Sequence, residues 1–412
     1  MPYSWLADLI PPPHTREPLT FQSFLQGVLL PILCYYTTAV LVILPNTLFL
    51  RWTLLPLTLW TTFRGSTRVN LVLQYNDERL VYWNQGLVLA FTTMGMRVIT
   101  WTFQRKPFRR APFLVAGTKN IKDDVWSPPS GLWQVATDAF ELCFNLRGCG
   151  WNWSRGLQVP PETRPTTSTA AFAWATFVSF NVHLVFFDIM HYSVQWFAPA
   201  TIGSPVGGSI FDPTIPPAYQ YLRSSTITLL SGLTVYCAIQ TSYLLFSLIG
   251  ILIFKQHLSL WPPAFKTPWL ATSLTEYWAK RWHQLFRDNF ISIGGNPLSW
   301  VAGRVGGVLG AFLVSGIFHD LGLWGMGRGS DFRNVVGFFV MMGVGVILEG
   351  LWKQISGRRT EGWIGRIWTL AWVIGWGNLL VDAWTRKGLV GSLFIPTHLR
   401  PSTLIFGALS FT

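Results

Sequence analysis

The chain is built from long apolar runs separated by polar, mostly basic connections. A helix that crosses a membrane needs about 20 mostly apolar residues. Eight runs approach that length: 21–44, 46–63, 86–103, 170–195, 226–254, 300–318, 335–352 and 367–381. The second is short and interrupted by Arg51 and Pro56, so it reads either as a re-entrant segment or as two pieces. A further run, 388–412, is apolar but broken by Pro396 and Pro401, and is a candidate ninth span. The pattern predicts an all-α polytopic integral membrane protein of about eight or nine transmembrane helices.

Composition agrees. Half of the 412 residues are hydrophobic and 12% are charged, against about 25% charged in ordinary soluble domains. The 23 Trp suit side chains that sit at membrane–water interfaces. A disordered chain, a collagen, a disulfide-stapled module and a coiled coil are excluded on the same grounds. One membrane domain, residues 1–412, is expected rather than a string of soluble ones.

The net charge of +13 points to nucleic acid in a soluble protein. Here the basic residues lie between apolar runs. Residues 104–169 carry nine Lys/Arg against five Asp/Glu, 255–299 five against two, and 353–366 four against one. The connections between these are neutral. This alternation fits the positive-inside rule, with loops 104–169 and 255–299 in the cytosol and the N-terminus on the other side. No nucleic-acid partner is expected. No removable signal peptide is evident at the start. Cys34, Cys143, Cys149 and Cys237 form no metal-binding spacing. Two connections are rich in Pro and Gly: 159–165 reads as a linker, and 198–217 either as a plain surface loop or as a cap over one membrane face.

Ionisable residues inside spans are costly and are site hypotheses by default. The strongest is Ser315-Gly316-Ile317-Phe318-His319-Asp320, at the end of the sixth run. A neutral imidazole within reach of a hydroxyl takes its proton as the oxygen attacks a carbonyl carbon. Ser315 is four residues before His319, on the same helical face, and is placed to orient the ring. Asp320 points elsewhere on a regular helix. A histidine satisfied by a backbone carbonyl at a helix end fits the same spacing. The run also holds Gly303-xxx-Gly307 and Gly306-xxx-Gly310, spacings that let helices pack closely.

A second constellation runs from Tyr277 to Arg287. Read as a helix, Trp278, Trp282, Leu285 and Phe286 form an apolar stripe, and Lys280, His283 and Arg287 line another face. Two readings fit: anchoring to anionic lipid headgroups, and a grip on a phosphate-rich ligand such as coenzyme A. A third segment, Arg147-Gly148-Cys149-Gly150-Trp151, reads as a tight interfacial turn. The sequon Asn152-Trp153-Ser154 falls in a loop assigned to the cytosol and is expected to be unused. His183, Asp188 and His191 lie close in the fourth run; polar packing is preferred to a metal site.

Taken together, these residues resemble the membrane-bound O-acyltransferase superfamily, in its wax synthase-like branch. Arg147 to Trp151 resembles an Arg-Gly-x-Gly-Trp element. Trp278 to Arg287 resembles a Trp-x-x-Arg-Trp-His-Gln signature, and Ser315 to Asp320 a Ser-Gly-x-x-His-Asp element. Cys149 stands where a branched aliphatic residue is commoner, and Ala279 where glycine is. The resemblance implies a motif-bearing core at 140–385 and helices around an intramembrane reaction chamber. It implies acyl transfer from acyl-coenzyme A to a hydrophobic alcohol, with His319 and His283 catalytic. Trp278, Lys280, Arg281, Trp282, Gln284 and Arg287 are then expected at the coenzyme A site, with Ser315, Asp320, Arg147 and Trp151 supporting. It implies no metal and no tightly bound cofactor, acyl-CoA being a co-substrate. The sequence looks most like fungal terpenoid and meroterpenoid O-acetyltransferases, which suggests acetyl-CoA, a polycyclic alcohol and the endoplasmic reticulum membrane. Long-chain wax ester synthesis and a non-enzymatic small-molecule transporter are the competing readings. Span counting places His283 near the cytosolic end and His319 near the opposite end, a conflict for one centre.

Overall fold

The protein is described here by a computed structural model covering residues 9–110, 129–153 and 156–407. In chain order its main helices are α1 (Phe21–Ile43), α2 (Leu48–Arg68), α3 (Tyr82–Thr102), α4 (Leu132–Phe144) and α5 (Thr169–Trp196). There follow α6 (Pro217–Leu252), α7 (Arg287–Arg328), α8 (Phe332–Ser356), α9 (Gly362–Arg386) and the short α10 (Pro401–Phe406). A two-residue parallel ladder joins β1 (Glu17–Pro18) to β2 (Val69–Asn70). Six of these helices, α1 and α5 to α9, are long and apolar enough to cross a membrane. The fold is the all-α, multi-pass arrangement that the apolar runs predict.

The chain divides into two compact units, one of Met1–Leu157 with Leu285–Ser330, the other of Gln158–Gln284 with Asp331–Thr412. In the first unit, α1, α3 and α4 meet around a fully buried core of Tyr35, Ala39, Val42, Val98, Trp101, Ala139, Leu142 and Trp151. Tyr35 stacks on Trp101 with centroids 5.0 Å apart. The doubtful second run is one continuous helix, α2, in spite of Pro56. Its polar side chains bond to nearby backbone carbonyls. Arg51 is buried and donates to the Trp101 carbonyl at the end of α3. Thr58 and Thr62 donate back to the carbonyls of Leu54 and Thr58, at 3.0 and 2.9 Å. The connection 104–169 is not a plain loop: it contains α4, whose Glu141 accepts from the Trp151 indole at 3.1 Å.

In the second unit, α5 packs along α6, and α6 and α8 each pack on α9. The proline- and glycine-rich stretch 198–217 is folded onto this unit, not loose. Ile202 and Ile210 are fully buried with Val194, Ile227, Val381 and Val390. Asp382 accepts from the Ser209 hydroxyl and the Ile210 amide at 2.7 and 3.0 Å. The stretch 159–165 is also pinned, because Arg164 pairs with Glu162 at 2.8 Å and lies 4.0 Å from the Phe172 ring. The candidate ninth run does not form a spanning helix among the described residues. After Arg386 it turns, forms a short 3-10 turn and then α10, with residues 408–412 outside the description. Pro396 is the N-cap of the 3-10 turn and Pro401 the first residue of α10, positions where the missing N–H costs no helical bond.

The sixth run departs most from expectation. It is a hairpin and not a single span. Ala302 and Gly303 leave helical geometry, Gly303 with φ of +56°. A left-handed conformation of this kind suits glycine and few other residues. The chain then returns antiparallel to itself. A Cβ on Gly310 would lie 2.7 Å from the Gly294 carbonyl carbon and 2.8 Å from the Leu298 side chain. A Cβ on Gly307 would lie 3.3 Å from that of Ser299. On one straight helix, residues 294 and 310 would be about 24 Å apart at 1.5 Å per residue. The glycine spacings therefore pack one arm of this hairpin on the other. The arm 287–301 is about 22 Å long on the same rise, short of the roughly 30 Å hydrocarbon core. At the open end of the hairpin, Phe286 and Phe290 pack on Phe318 at 5.1 and 5.6 Å.

Gly310→Ala is expected to cost about 1–3 kcal/mol of stability by overpacking. Gly337→Ala, where an added Cβ meets nothing within 4 Å, is expected to be neutral or slightly stabilising. Thermal unfolding of the two variants in detergent compares them. Equal behaviour would contradict close packing of the arms.

Candidate active site

His319 lies on the returning arm, 304–323, and is half-buried between the buried Phe318 and Asp320. Its Nδ1 is 2.7 Å from the Ser315 carbonyl oxygen. A carbonyl only accepts, so Nδ1 carries the hydrogen and Nε2 carries the lone pair of the neutral ring. This bond is made by the backbone carbonyl of residue 315 and does not depend on the Ser315 side chain. The helix continues to Leu323, so this is not a frayed helix end. The Phe318 ring meets the imidazole edge-on at 5.4 Å.

The segment from Tyr277 to Arg287 is not one helix. A short helix, Leu274–Glu276, runs into a wide turn, Tyr277–Arg281, and the backbone at Trp282 is extended. The apolar stripe and the cationic face read from helical spacing therefore do not persist past Arg281. The wide turn closes through the Trp282 amide and the Tyr277 carbonyl at 2.7 Å. Buried Gln284 donates to the Ala279 carbonyl and accepts from the Gln158 amide at 3.4 Å. Tyr277 stacks on Trp282 at 5.5 Å, and Trp278 meets Trp282 at 6.0 Å. His283 lies edge-on to Phe265 at 5.6 Å and beside Trp282 at 5.6 Å.

The cationic residues of this segment differ. Arg281 pairs with Glu276 at 2.8 Å and donates to the Lys266 carbonyl at 3.1 Å, so it holds the turn to the preceding loop. Burial pushes the Glu276 carboxyl up, but the Thr272 amide and hydroxyl and the Arg281 guanidinium more than offset this and hold it below its ordinary value. Lys280 is exposed. Arg287 begins the outgoing arm of the α7 hairpin in the first unit, and its guanidinium lies 3.5 Å from where a Cβ on Gly156 would be.

Arg147 to Trp151 is a tight turn, as read. Gly148 and Gly150 have φ of +71° and +80°. The Gly148 amide donates to the Asn145 side chain at 2.8 Å, and a Cβ on Gly148 would lie 2.8 Å from the Trp153 indole. Trp151 is 1% exposed and Arg147 is buried. The sequon serine, Ser154, lies outside the described residues. Asp188 pairs with Arg400 at 2.7 Å, and His191 donates to the Val390 carbonyl at 2.7 Å. Both are polar packing of the second unit.

One supporting residue escapes the sequence reading. Glu349 lies inside the apolar α8, yet is buried and caps the segment that carries the tryptophans. It accepts from the Leu274 amide, from the Thr275 amide and hydroxyl at 3.0 and 2.8 Å, and from the Trp368 indole at 3.1 Å. A lone carboxylate in an apolar run was the available signal.

Comparison with known proteins agrees with these segments. Residues 261–341 match the model of the Membrane bound O-acyl transferase family. The match takes in Trp278 to Arg287, the α7 hairpin and His319, and leaves out Arg147 to Trp151. The chain is similar to a long-chain-alcohol O-fatty-acyltransferase of Simmondsia chinensis, 33% identical over 23% of this chain and 30% of the relative. It is also similar to an acetyltransferase of Calcarisporium arbuscula, 25% identical over 37% of this chain and 41% of the relative. An acetyltransferase of Rhodocybe pseudopiperita is 25% identical over 57% of this chain and 62% of the relative. The chain thus spans less than two thirds of the length of each of these relatives. The resemblance seen in the motifs is a resemblance to acyltransferases of plants and fungi.

Two outcomes follow from the contacts. Glu349→Leu leaves the Leu274 and Thr275 donors unmet and is expected to cost about 1–3 kcal/mol for each buried donor left unpaired, with Glu349→Gln milder. Unchanged thermal midpoints would remove Glu349 from this role. The depressed Glu276 carboxyl contributes stability that is present above its ordinary pKa of about 4.3 and is lost as pH falls through the folded value. The gap in thermal midpoint between wild type and Glu276→Gln is therefore expected to close on acidification. A gap constant from neutral pH to below pH 4 would contradict the pairing.

Proposed function

We propose that the protein transfers an acyl group from acyl-coenzyme A to the hydroxyl of a hydrophobic alcohol within a membrane. The observation that carries this reading is His319. Its Nδ1 is held by the Ser315 carbonyl at 2.7 Å, which fixes Nε2 as the basic nitrogen. On this reading Nε2 takes the alcohol proton as the oxygen attacks the thioester carbonyl. The tetrahedral oxyanion collapses, the carbon–sulfur bond breaks, and the coenzyme A thiolate leaves, receiving the proton from the imidazolium. No acyl-enzyme is required. On this reading His283 donates to the oxyanion.

Lys280 and Arg287 bind the coenzyme A phosphates, with Trp278 and Trp282 beside them. Arg281 and Gln284 shape that turn through Glu276 and Ala279. The donor is acetyl-CoA and the acceptor a polycyclic terpenoid or meroterpenoid alcohol, in the endoplasmic reticulum membrane. Similarity to the two fungal acetyltransferases supports the acetyl donor. Similarity to the Simmondsia chinensis enzyme supports a second donor class, long-chain acyl-CoA.

Microsomes with equal amounts of wild type, His319→Ala and His283→Ala, given acetyl-CoA or palmitoyl-CoA and a panel of polycyclic alcohols, test the reading. Free thiol and ester are followed by mass spectrometry. Wild type is expected to form ester, and His319→Ala to lose about 10²–10⁴-fold in turnover. Equal turnover in wild type and His319→Ala would remove His319 as the base. Thioester untouched by wild type with both donors would favour a transporter.

A further inference from the structure

The end of the arm that carries His319 is held by a residue that the proposed reaction does not use. The returning arm passes at Leu323 into a wide turn, Trp324–Arg328, within which Gly327 has φ of +82°. The carbonyls at the end of a helix have no amide partner within it. One of them, that of Gly325, accepts from Arg16 Nη1 at 3.0 Å. The Arg16 guanidinium also lies over the Trp324 ring, 4.8 Å from its centroid. Both contacts fall within the first unit. Gly325 is six residues after His319, about 9 Å along a helix.

Arg16 reaches this position from a short strap. It is the only buried residue between 9 and 22, and is 4% exposed. Its backbone is fixed one residue on, where Glu17 pairs with Val69 in the ladder that follows α2. Pro13 lies against the turn as well, since a Cβ on Gly327 would be 3.0 Å from that of Pro13. On α3, a Cβ on Gly325 would meet Val88 at 2.7 Å, and one on Gly322 would meet Leu89 at 2.8 Å. Folding alone gives little reason for an arginine here. Its Nε and Nη2 are buried and have no hydrogen-bond partner. A buried cation left partly unmet is often less stable than an apolar side chain of similar volume. Local rules of stability are broken most often at functional sites. A destabilising residue at the end of the arm that carries the proposed base points to a role in the reaction.

We propose that Arg16 is a positioning residue for His319, clamping the end of the returning arm through the Gly325 carbonyl and the Trp324 ring. This deepens the acyltransferase reading and rests on it. Arg16 acts through the arm and not on the reacting atoms. A displacement of about 1 Å, caused far from the chemistry, is enough to cost about 100-fold in rate.

The test compares wild type, Arg16→Met and Arg16→Lys at equal abundance in the microsomal assay, with thermal midpoints measured in detergent. Arg16→Met is expected to keep or raise the midpoint, because it removes a half-met buried charge. It is expected to lower kcat about 10-fold or more, with KM for both substrates unchanged. Arg16→Lys, which retains a donor for the Gly325 carbonyl, is expected to recover part of kcat. Unchanged kcat in Arg16→Met, a fall in kcat matched by a fall in midpoint, or Arg16→Lys no better than Arg16→Met would overturn the proposal. Hydrogen exchange followed by mass spectrometry separates the clamp from the reaction. Amides of 320–328 are expected to exchange about 10-fold faster in Arg16→Met than in wild type, with those of α4 unchanged. If wild type turns over no thioester but this difference is present, the clamp on the arm stands and the acyl-transfer reading falls. Equal exchange at 320–328 in the two proteins would overturn the clamp.

Discussion

The close approach of two backbone segments across Gly294, Gly307 and Gly310 is the contact on which the first unit's site depends. Side chains there would separate the arms, because a Cβ at Gly294 or Gly310 meets the opposing backbone as well as the side chains of Val314 and Leu298. In a membrane the hydrophobic effect gives helices little reason to associate, so packing of small residues carries more of the burden. The turn at Gly303 and the antiparallel return bring Phe286 and Phe290 against Phe318. Without that return, the residues around His319 would lie some 24 Å or more along a single helix from those before residue 300.

The second unit manages its polar groups by another rule. Each buried acid in it is matched: Asp188 with Arg400 and the Ser402 amide, Asp382 with Arg386, Ser209 and the Ile210 amide, and Glu349 with two amides, a hydroxyl and an indole. A buried charge is tolerable only when paired and hydrogen-bonded. These contacts fasten short irregular segments to long helices: α10 to α5, the 198–217 stretch to α9, and the Leu274–Glu276 turn to α8. The irregular backbone that carries the tryptophans and His283 is therefore held at its start by the helix-borne Glu349 carboxylate rather than by a regular helix of its own.

Much of this was legible from the chain. The apolar runs marked the long helices, and the isolated His319 at the end of the sixth run is the residue on which the proposed chemistry rests. Helical spacing placed residue 315 beside His319, and the contact there is made by the backbone carbonyl and not by the serine side chain. The hairpin was not legible, because Gly-xxx-Gly spacing is the same whether a helix packs on another helix or on its own returning arm. The break at Trp282 was hidden for a related reason. Aromatic residues at three- and four-residue spacing satisfy a helical pattern, while the turn is made by a wide loop of hydrogen bonds and by Gln284. Glu349 was absorbed into an apolar run, since one acid in 18 residues barely alters its average.

The most direct test of this account is a crosslink across the hairpin. Ser299 and Gly307 are replaced by cysteine together, the membranes are mildly oxidised, and the joined peptides are sought by mass spectrometry. The Ser299 Cβ and a Cβ on Gly307 are 3.3 Å apart, near the 3.5–4.5 Å that a disulfide spans. The folded-back arms predict rapid, nearly complete bridging within one chain, absent from the Ser299→Cys and Gly337→Cys pair. A straight helix through 302–303 separates the two positions by about 12 Å along its axis and cannot form the bridge. Its absence in a folded protein would contradict the hairpin and the placement of His319 that rests on it.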